Sequence, residues 1–447
     1  MENKQNLTEG ALSRKILLFS LPLMLSNVFQ VLFNMADVAV VGQFAGAMAL
    51  GSVGSTTILV MMFTGILIGM SGGINVLAAR YFGAGNEKGL KETVHTAAII
   101  SLMAGLILLA VGMIFSESIL RLLKTKPELM DGAVLYIRIY FLGMPALALY
   151  NFGNAVFSAI GDTKRPLYYL TMAGIINIVL NLFFVIVWKM GVAGVALASI
   201  LSQYISAVLI TAALFCCRES YSLRRDSLHI NKEKAAAILK IGLPSGLQNA
   251  IFQLANLFIQ AGVNSFDAVM VAGNSAAANA DGLIYDIMAA FYTACGSFMG
   301  QNYGAGKKKR VMKSFRISLF YSFGTGTVLG LLLVVFGKSF LGLFTGDGAV
   351  IQAGMKRLTI MGMSYGVSAI MDCTIAASRA LGKSMVPTII VFMGSCVFRI
   401  IWVYTVFAYF KTIPSLYLLY VFSWSITAIA EMIYFRKCCK EQLMHLE

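Results

Sequence analysis

The sequence predicts an all-α, polytopic membrane protein of about 12 transmembrane helices, forming two six-helix bundles related by a pseudo-two-fold axis along the membrane normal. Three observations carry this prediction: the composition, a regular succession of apolar runs, and a repeat that spans the chain. Of the 447 residues, 58% are hydrophobic and 12% charged, whereas soluble chains carry about 25% charged and about 45–50% apolar residues. Runs such as 96–115 recur, each close to the ~20 residues that cross a hydrocarbon core about 30 Å thick.

The runs fall at 16–42, 51–79, 94–116, 133–160, 167–188 and 191–217, then at 236–263, 268–300, 314–337, 355–380, 386–410 and 415–435. The longest polar stretch, Arg218 to Lys234, separates the two sets. We therefore expect a first lobe at 1–217, a cytoplasmic linker at 218–235 and a second lobe at 236–447. The first run is too long for a signal-peptide core and lacks a small-residue cleavage site, so it reads as a permanent span.

The formal net charge is +15, but Lys and Arg cluster in the short breaks between runs. With the N-terminus cytoplasmic, inner segments hold 25 of them, outer segments 9, Arg357 among these, and Arg399 lies within a span. That excess orients helices, with both termini cytoplasmic, and argues against nucleic-acid binding. The seven cysteines form no metal-binding spacing, and Cys295, Cys373 and Cys396 sit in apolar segments as small hydrophobes.

Sliding the chain on itself by 221–222 residues gives ordered matches. Leu21-Pro22 falls on Leu243-Pro244, Gly83-Ala84-Gly85 on Gly304-Ala305-Gly306, Gly161 on Gly382, and Cys216-Cys217 on Cys438-Cys439. Six spans are an even number, so both halves enter the membrane with one orientation. This is a parallel repeat, and substrate is expected between the halves.

Enzyme-type constellations are absent. No Gly-x-x-x-x-Gly-Lys-Ser/Thr motif is present, and Gly83 to Gly89 reads as a tight turn because it lacks the Walker lysine. The informative residues are acids inside apolar runs, each costing about 2.5–3.5 kcal/mol at a helix centre on insertion scales. Asp37 lies in the first run, Asp281 and Asp286 in the eighth, and Asp372 in the tenth. The competing reading of each is a hydrogen-bonded tie between helices. Asn151 and Asn154, spaced i, i+3, and Asn177 and Asn181, spaced i, i+4, each share one helix face. Their amides suit a carboxylate or a cation. Pro22 and Pro244 permit bends or mark static kinks.

Several segments taken in order resemble one family: Leu21-Pro22 with Asn34-Met-Ala-Asp37, Arg80-Tyr-Phe-Gly-Ala-Gly85, Gly161-Asp-Thr-Lys-Arg-Pro166, Gln301-Asn-Tyr-Gly-Ala-Gly306, and Met371-Asp372 with Arg379-Ala-Leu-Gly-Lys383. Over essentially the whole chain they look like the multidrug and toxic-compound extrusion (MATE) family. The resemblance implies a two-lobed exporter, driven by inward H⁺ or Na⁺, for cationic and often aromatic compounds. It further implies cation coupling at Asp37, with Asn34, Asn151, Asn154, Asn177 and Asn181 around it and Asp37 as ligand where the ion is Na⁺. Substrate contacts are implied at Asp281 and Asp372; Asp286 and Gln253 are further expected substrate contacts, and Pro22 and Pro244 the expected hinges. Where some members carry a seventh-helix Glu, this chain has Phe252 and Gln253.

The expected function is therefore a cation-coupled antiporter in the cell membrane, acting as a monomer on organic cations, with no cofactor and no enzymatic activity. The alternative is a flippase for lipid-linked oligosaccharide or another amphipathic lipid. Such a flippase needs a basic cavity, and Arg399 is the one clear mid-span base in the sequence reading.

Overall fold

A computed structural model of the chain describes residues 6–444. The regular elements among these residues are helices. The first half of the chain holds α1 (Leu12–Val40), α2 (Ala47–Gly83), α3 (Glu87–Leu122), α4 (Pro127–Phe141), α5 (Met144–Ala159), α6 (Lys164–Leu182) and α7 (Gly191–Cys216). There follow α8 (Lys232–Val263), α9 (Ala268–Gly304), α10 (Lys308–Gly342), α11 (Gly348–Ala380), α12 (Met385–Val391), α13 (Phe398–Trp402), α14 (Ala408–Phe410) and α15 (Ile413–Leu443). π-helical stretches prolong α1 to Ala45 and α6 to Val187, and join α12, α13 and α14 into one run to Phe410.

Ten of these helical runs are long and apolar enough to cross a membrane among the described residues, and α4 with α5 makes an eleventh, bent by 46°. The bend falls at Leu142-Gly143, just before Pro145, which has no N–H to carry a helix ladder onward. Gly143 also admits α7, since a Cβ there would stand 2.4 Å from Gln203 Oε1. The twelfth helix is α8. Ser245, Gln248, Asn249, Gln253, Asn256 and Gln260 make it less apolar than the rest. The all-α, twelve-helix layout expected from the sequence is thus the observed one.

The matched turns of the repeat have the same geometry. After α2, Gly85 takes φ 65° and the Asn86 N–H donates to Tyr81 O; after α9, Gly306 takes φ 71° and the Lys307 N–H donates to Asn302 O. This closure needs a left-handed residue, which glycine adopts without a Cβ clash.

The chain forms two compact units. One comprises Leu25–Ala250; the other comprises Leu7–Met24 and everything from Ile251 onward. Each thus takes in the beginning of the other half's first helix. In the first unit, Gly242 and Gly246 of α8 meet Gly69 and Gly73 of α2. A Cβ on Gly69 would lie 2.3 Å from the Gly246 nitrogen, and one on Gly73 2.5 Å from Ile238 O. Small residues four apart let helix backbones touch without side chains between them. In the second unit the start of α1 docks differently: Phe19 packs edge-on against Phe298 of α9 at 5.4 Å.

The polar connection after α7 is folded onto the first unit. Tyr221 and Leu223 are buried, Tyr221 packs against Phe157, and the Arg224 N–H donates to His95 Nε2 at 3.0 Å. His95 Nδ1 donates to Lys91 O at 2.7 Å, so both ring nitrogens are occupied. Asn231 caps α8, accepting from the Glu233 and Lys234 N–H groups.

Candidate functional site: a carboxylate among neutral donors

In the first unit, α1 presents Phe33 and Asp37 one turn apart, and α6 presents Gly174, Asn177 and Asn181 along one face. Gly174 is what permits the approach, because Phe33 covers it so closely that no Cβ would fit. Asn181 Nδ2 donates to Asp37 Oδ1 at 2.5 Å and to Asn177 Oδ1 at 3.2 Å. From α7, Ser199 Oγ donates to Asp37 Oδ2 at 3.1 Å. One turn along α7, Gln203 Nε2 donates to the Tyr140 hydroxyl at 3.4 Å, and Tyr140 stacks on Tyr136.

No Lys or Arg pairs with Asp37 among the described residues, so every group holding it is neutral. Asn177 and Asn181 are buried at 5% and 1% exposure. The Asn181 carbonyl oxygen is enclosed and receives no hydrogen bond. An acceptor beside a carboxylate can take the proton of the neutral acid or share a small cation with the ionised one. The geometry therefore suits exchange of a single positive charge.

The remaining residues of the expected coupling set lie elsewhere. Asn34 is exposed on α1. Asn151 is turned back on its own helix, donating to Leu147 O at 3.0 Å. Asn154 makes no hydrogen bond to Asp37. Ser199 is a neighbour that sequence reasoning missed, since a serine in the small-residue run of α7 carries no signal of its own.

The second unit shows what became of the other acids. Asp281 is buried and accepts from Arg357 Nε at 3.0 Å, from Arg357 Nη2 and from the Tyr365 hydroxyl. Arg357 Nη1 also donates to Asn274 Oδ1 at 2.6 Å, and the Tyr417 hydroxyl donates to the same oxygen at 2.8 Å. Arg357, read from the sequence as an outer basic residue, lies within α11. It is 7% exposed inside α11, held by its partner on α9. Arg399 is thus not the only buried arginine among the described residues. Asp281, expected to touch substrate, spends its charge on this ion pair.

Asp372 accepts from Ser368 Oγ at 3.3 Å. Arg399 is 1% exposed, donates to Ser423 and Asn256, and lies over the rings of Phe252 and Tyr420 at 4.9 and 4.6 Å. Asp286 and Gln253 are partly exposed on α9 and α8. Pro22 and Pro244 lie inside α1 and α8. Glu431 on α15 is fully buried. It escaped the search for acids in apolar runs, although the same rule finds it.

Comparison with known proteins agrees with this architecture. The MatE family model matches twice, at residues 22–183 and 244–405. The two matches are offset by the repeat read from the sequence. A probable multidrug resistance protein of Bacillus subtilis, YpnP, is 31% identical over 391 residues, covering 86% of this chain and 87% of that one. A protein named as an FAD transporter in Shewanella oneidensis is 26% identical over 87% of each chain. Among solved structures, an outward-facing MATE transporter of the MOP superfamily superposes with a TM-score of 0.91 at 22% identity, covering 99% of both chains. A MOP superfamily transporter from Pyrococcus furiosus, whose binding pocket is described as reversed in polarity, gives the same score and coverage. The chain is a multi-pass membrane protein and belongs to the MatE family of multidrug transporters.

Proposed function

We propose that the protein is an antiporter of the cell membrane that exports amphipathic organic cations in exchange for inward H⁺ or Na⁺. Asp37 is the coupling group. The observation that carries this reading is a carboxylate held only by neutral donors, next to an amide oxygen that receives no hydrogen bond. A fixed basic partner would cancel the charge permanently. Neutral partners leave it to be cancelled by the travelling ion.

Asp372 takes the substrate cation. It is the acid whose one side-chain hydrogen bond comes from a neutral serine at 3.3 Å, whereas Asp281 is occupied by Arg357. The chain works as a monomer with both termini cytoplasmic, and Pro22 and Pro244 supply the bends of alternating access. At 100 mV and one pH unit, one inward proton releases about 3.7 kcal/mol. That supports roughly a 500-fold electrochemical gradient of substrate.

The test is dye flux in proteoliposomes energised separately by a pH gradient and by a Na⁺ gradient, with wild type and Asp37→Asn. The expected result is uphill export with one of the two ions and none in the mutant. Uphill export by folded Asp37→Asn would refute the assignment.

A further inference from the structure

We propose that Glu431 is a second proton-binding site, in the unit that does not contain Asp37, and that Arg379 supplies the counter-charge for its ionised form. Glu431 is 0% exposed, and neither carboxyl oxygen receives a hydrogen bond. Buried polar groups nearly always have partners, so an enclosed carboxyl without one calls for a reason. A helix tie would use its oxygens; this carboxyl does not.

The placement is well defined. α15 lies along α11, with Thr374 Oγ1 3.5 Å from Met432 Sδ. One turn away, Ser395 bonds to Thr427 at 3.0 Å and approaches Met371. Glu431 therefore sits level with the last turns of α11. The charged groups that act on it are Arg379 and Asp372, both from α11 and two turns apart. α9 contributes Tyr292 and Cys295 to this region, α15 itself Tyr434 and Cys438, and the segment from α12 to Val397 only Cys396. On the repeat, Glu431 falls on Leu209 (offset 222, as for Cys438 on Cys216) and Arg379 on Ser158 (offset 221, as for Gly382 on Gly161). The repeated fold thus stands without either charge in its first half.

As an acid, Glu431 adds no charge to this enclosed place. When its O–H bond breaks and the proton passes to water, the carboxylate left behind is matched by the Arg379 guanidinium, which keeps its own protons throughout. Asp372 lies two turns before Arg379 on the same helix. An organic cation seated at Asp372 adds positive charge two turns from Arg379 and so favours proton release from Glu431, the exchange that antiport requires. This last step rests on the substrate role proposed above for Asp372; the proton site does not.

The experiment uses infrared difference spectroscopy on the purified full-length protein, recorded on adding tetraphenylphosphonium. Proton release is counted in weak buffer with a pH indicator. Glu431 is the only buried glutamate among the described residues, so ¹³C labelling of glutamate carboxyls identifies it in the wild-type fold without any mutation. We expect a protonated-carboxyl band that shifts with the glutamate label and diminishes on adding the cation. We also expect proton release that persists in Asp37→Asn and is lost in Asp37→Asn/Glu431→Gln. A band that ignores the glutamate label, or complete loss of proton release in Asp37→Asn alone, would overturn the proposal. Neither result depends on uphill transport, so failure here is distinct from failure of the Asp37 assignment.

Discussion

Replacing Asp281 by Asn should destabilise the second unit before it touches recognition of substrate. Arg357 and Asp281 are 7% and 6% exposed, and two guanidinium nitrogens and the Tyr365 hydroxyl converge on the carboxylate. Removing one partner of a buried pair strands the other charge and costs about 3–5 kcal/mol. Arg357 retains Asn274 at 2.6 Å and lies over the rings of Tyr417 and Tyr420 at 5.3 and 5.6 Å. Cation–π contacts of this kind return up to about 2 kcal/mol when desolvated. The expected loss for Asp281→Asn is therefore near the lower end, about 3 kcal/mol. Arg357→Met should cost a similar amount, and Asp281→Leu/Arg357→Met should be more stable than the sum of the singles predicts, because no stranded charge remains. Equilibrium unfolding in mixed detergent, followed by tryptophan fluorescence, measures all three. Stability of Asp281→Asn within about 0.5 kcal/mol of wild type, with cation transport lost, would refute the structural role and restore Asp281 to the substrate site.

Other outcomes follow from the same geometry. Asp372→Asn should reduce efflux of cationic dyes several-fold more than efflux of neutral ones of similar size; equal losses would remove its charge-recognition role. Gly69→Val forces a side chain into the backbone of Gly246, 2.3 Å from where its Cβ would stand, so it should destabilise the α2–α8 contact by at least the ~1–3 kcal/mol of ordinary overpacking. Cross-linking or thermal unfolding would read that loss. His95→Phe leaves the Arg224 N–H without its acceptor at a cost of about 1–3 kcal/mol, and amide exchange at residues 221–228 should accelerate while α1 and α6 stay protected. Unchanged exchange there would mean that the connection is held by Tyr221 and Leu223 alone.

The fold was legible because a membrane imposes long-range order on a local signal. Each span must be apolar for about 20 residues, and the glycines that end matched helices recur at a constant offset. Asp37 was legible for the same reason, since a charge inside such a span stands out against everything around it. Asn177 and Asn181 followed from helical spacing, which puts them on one face before any partner is known. What spacing cannot tell is which face of one helix meets which face of another. Ser199 reaches Asp37 across 162 residues, and a serine is too common in membrane helices to announce such a contact. Asn151 looked equivalent to Asn181, yet its amide turns back on Leu147, a choice between hydrogen-bond partners that only packing makes. Asp281 and Asp372 are alike as letters in apolar runs. Their difference arises because packing brings Arg357 of α11 against Asp281 of α9, while Asp372 has only Ser368 one turn away on its own helix, and a buried charge takes its meaning from whatever neutralises it.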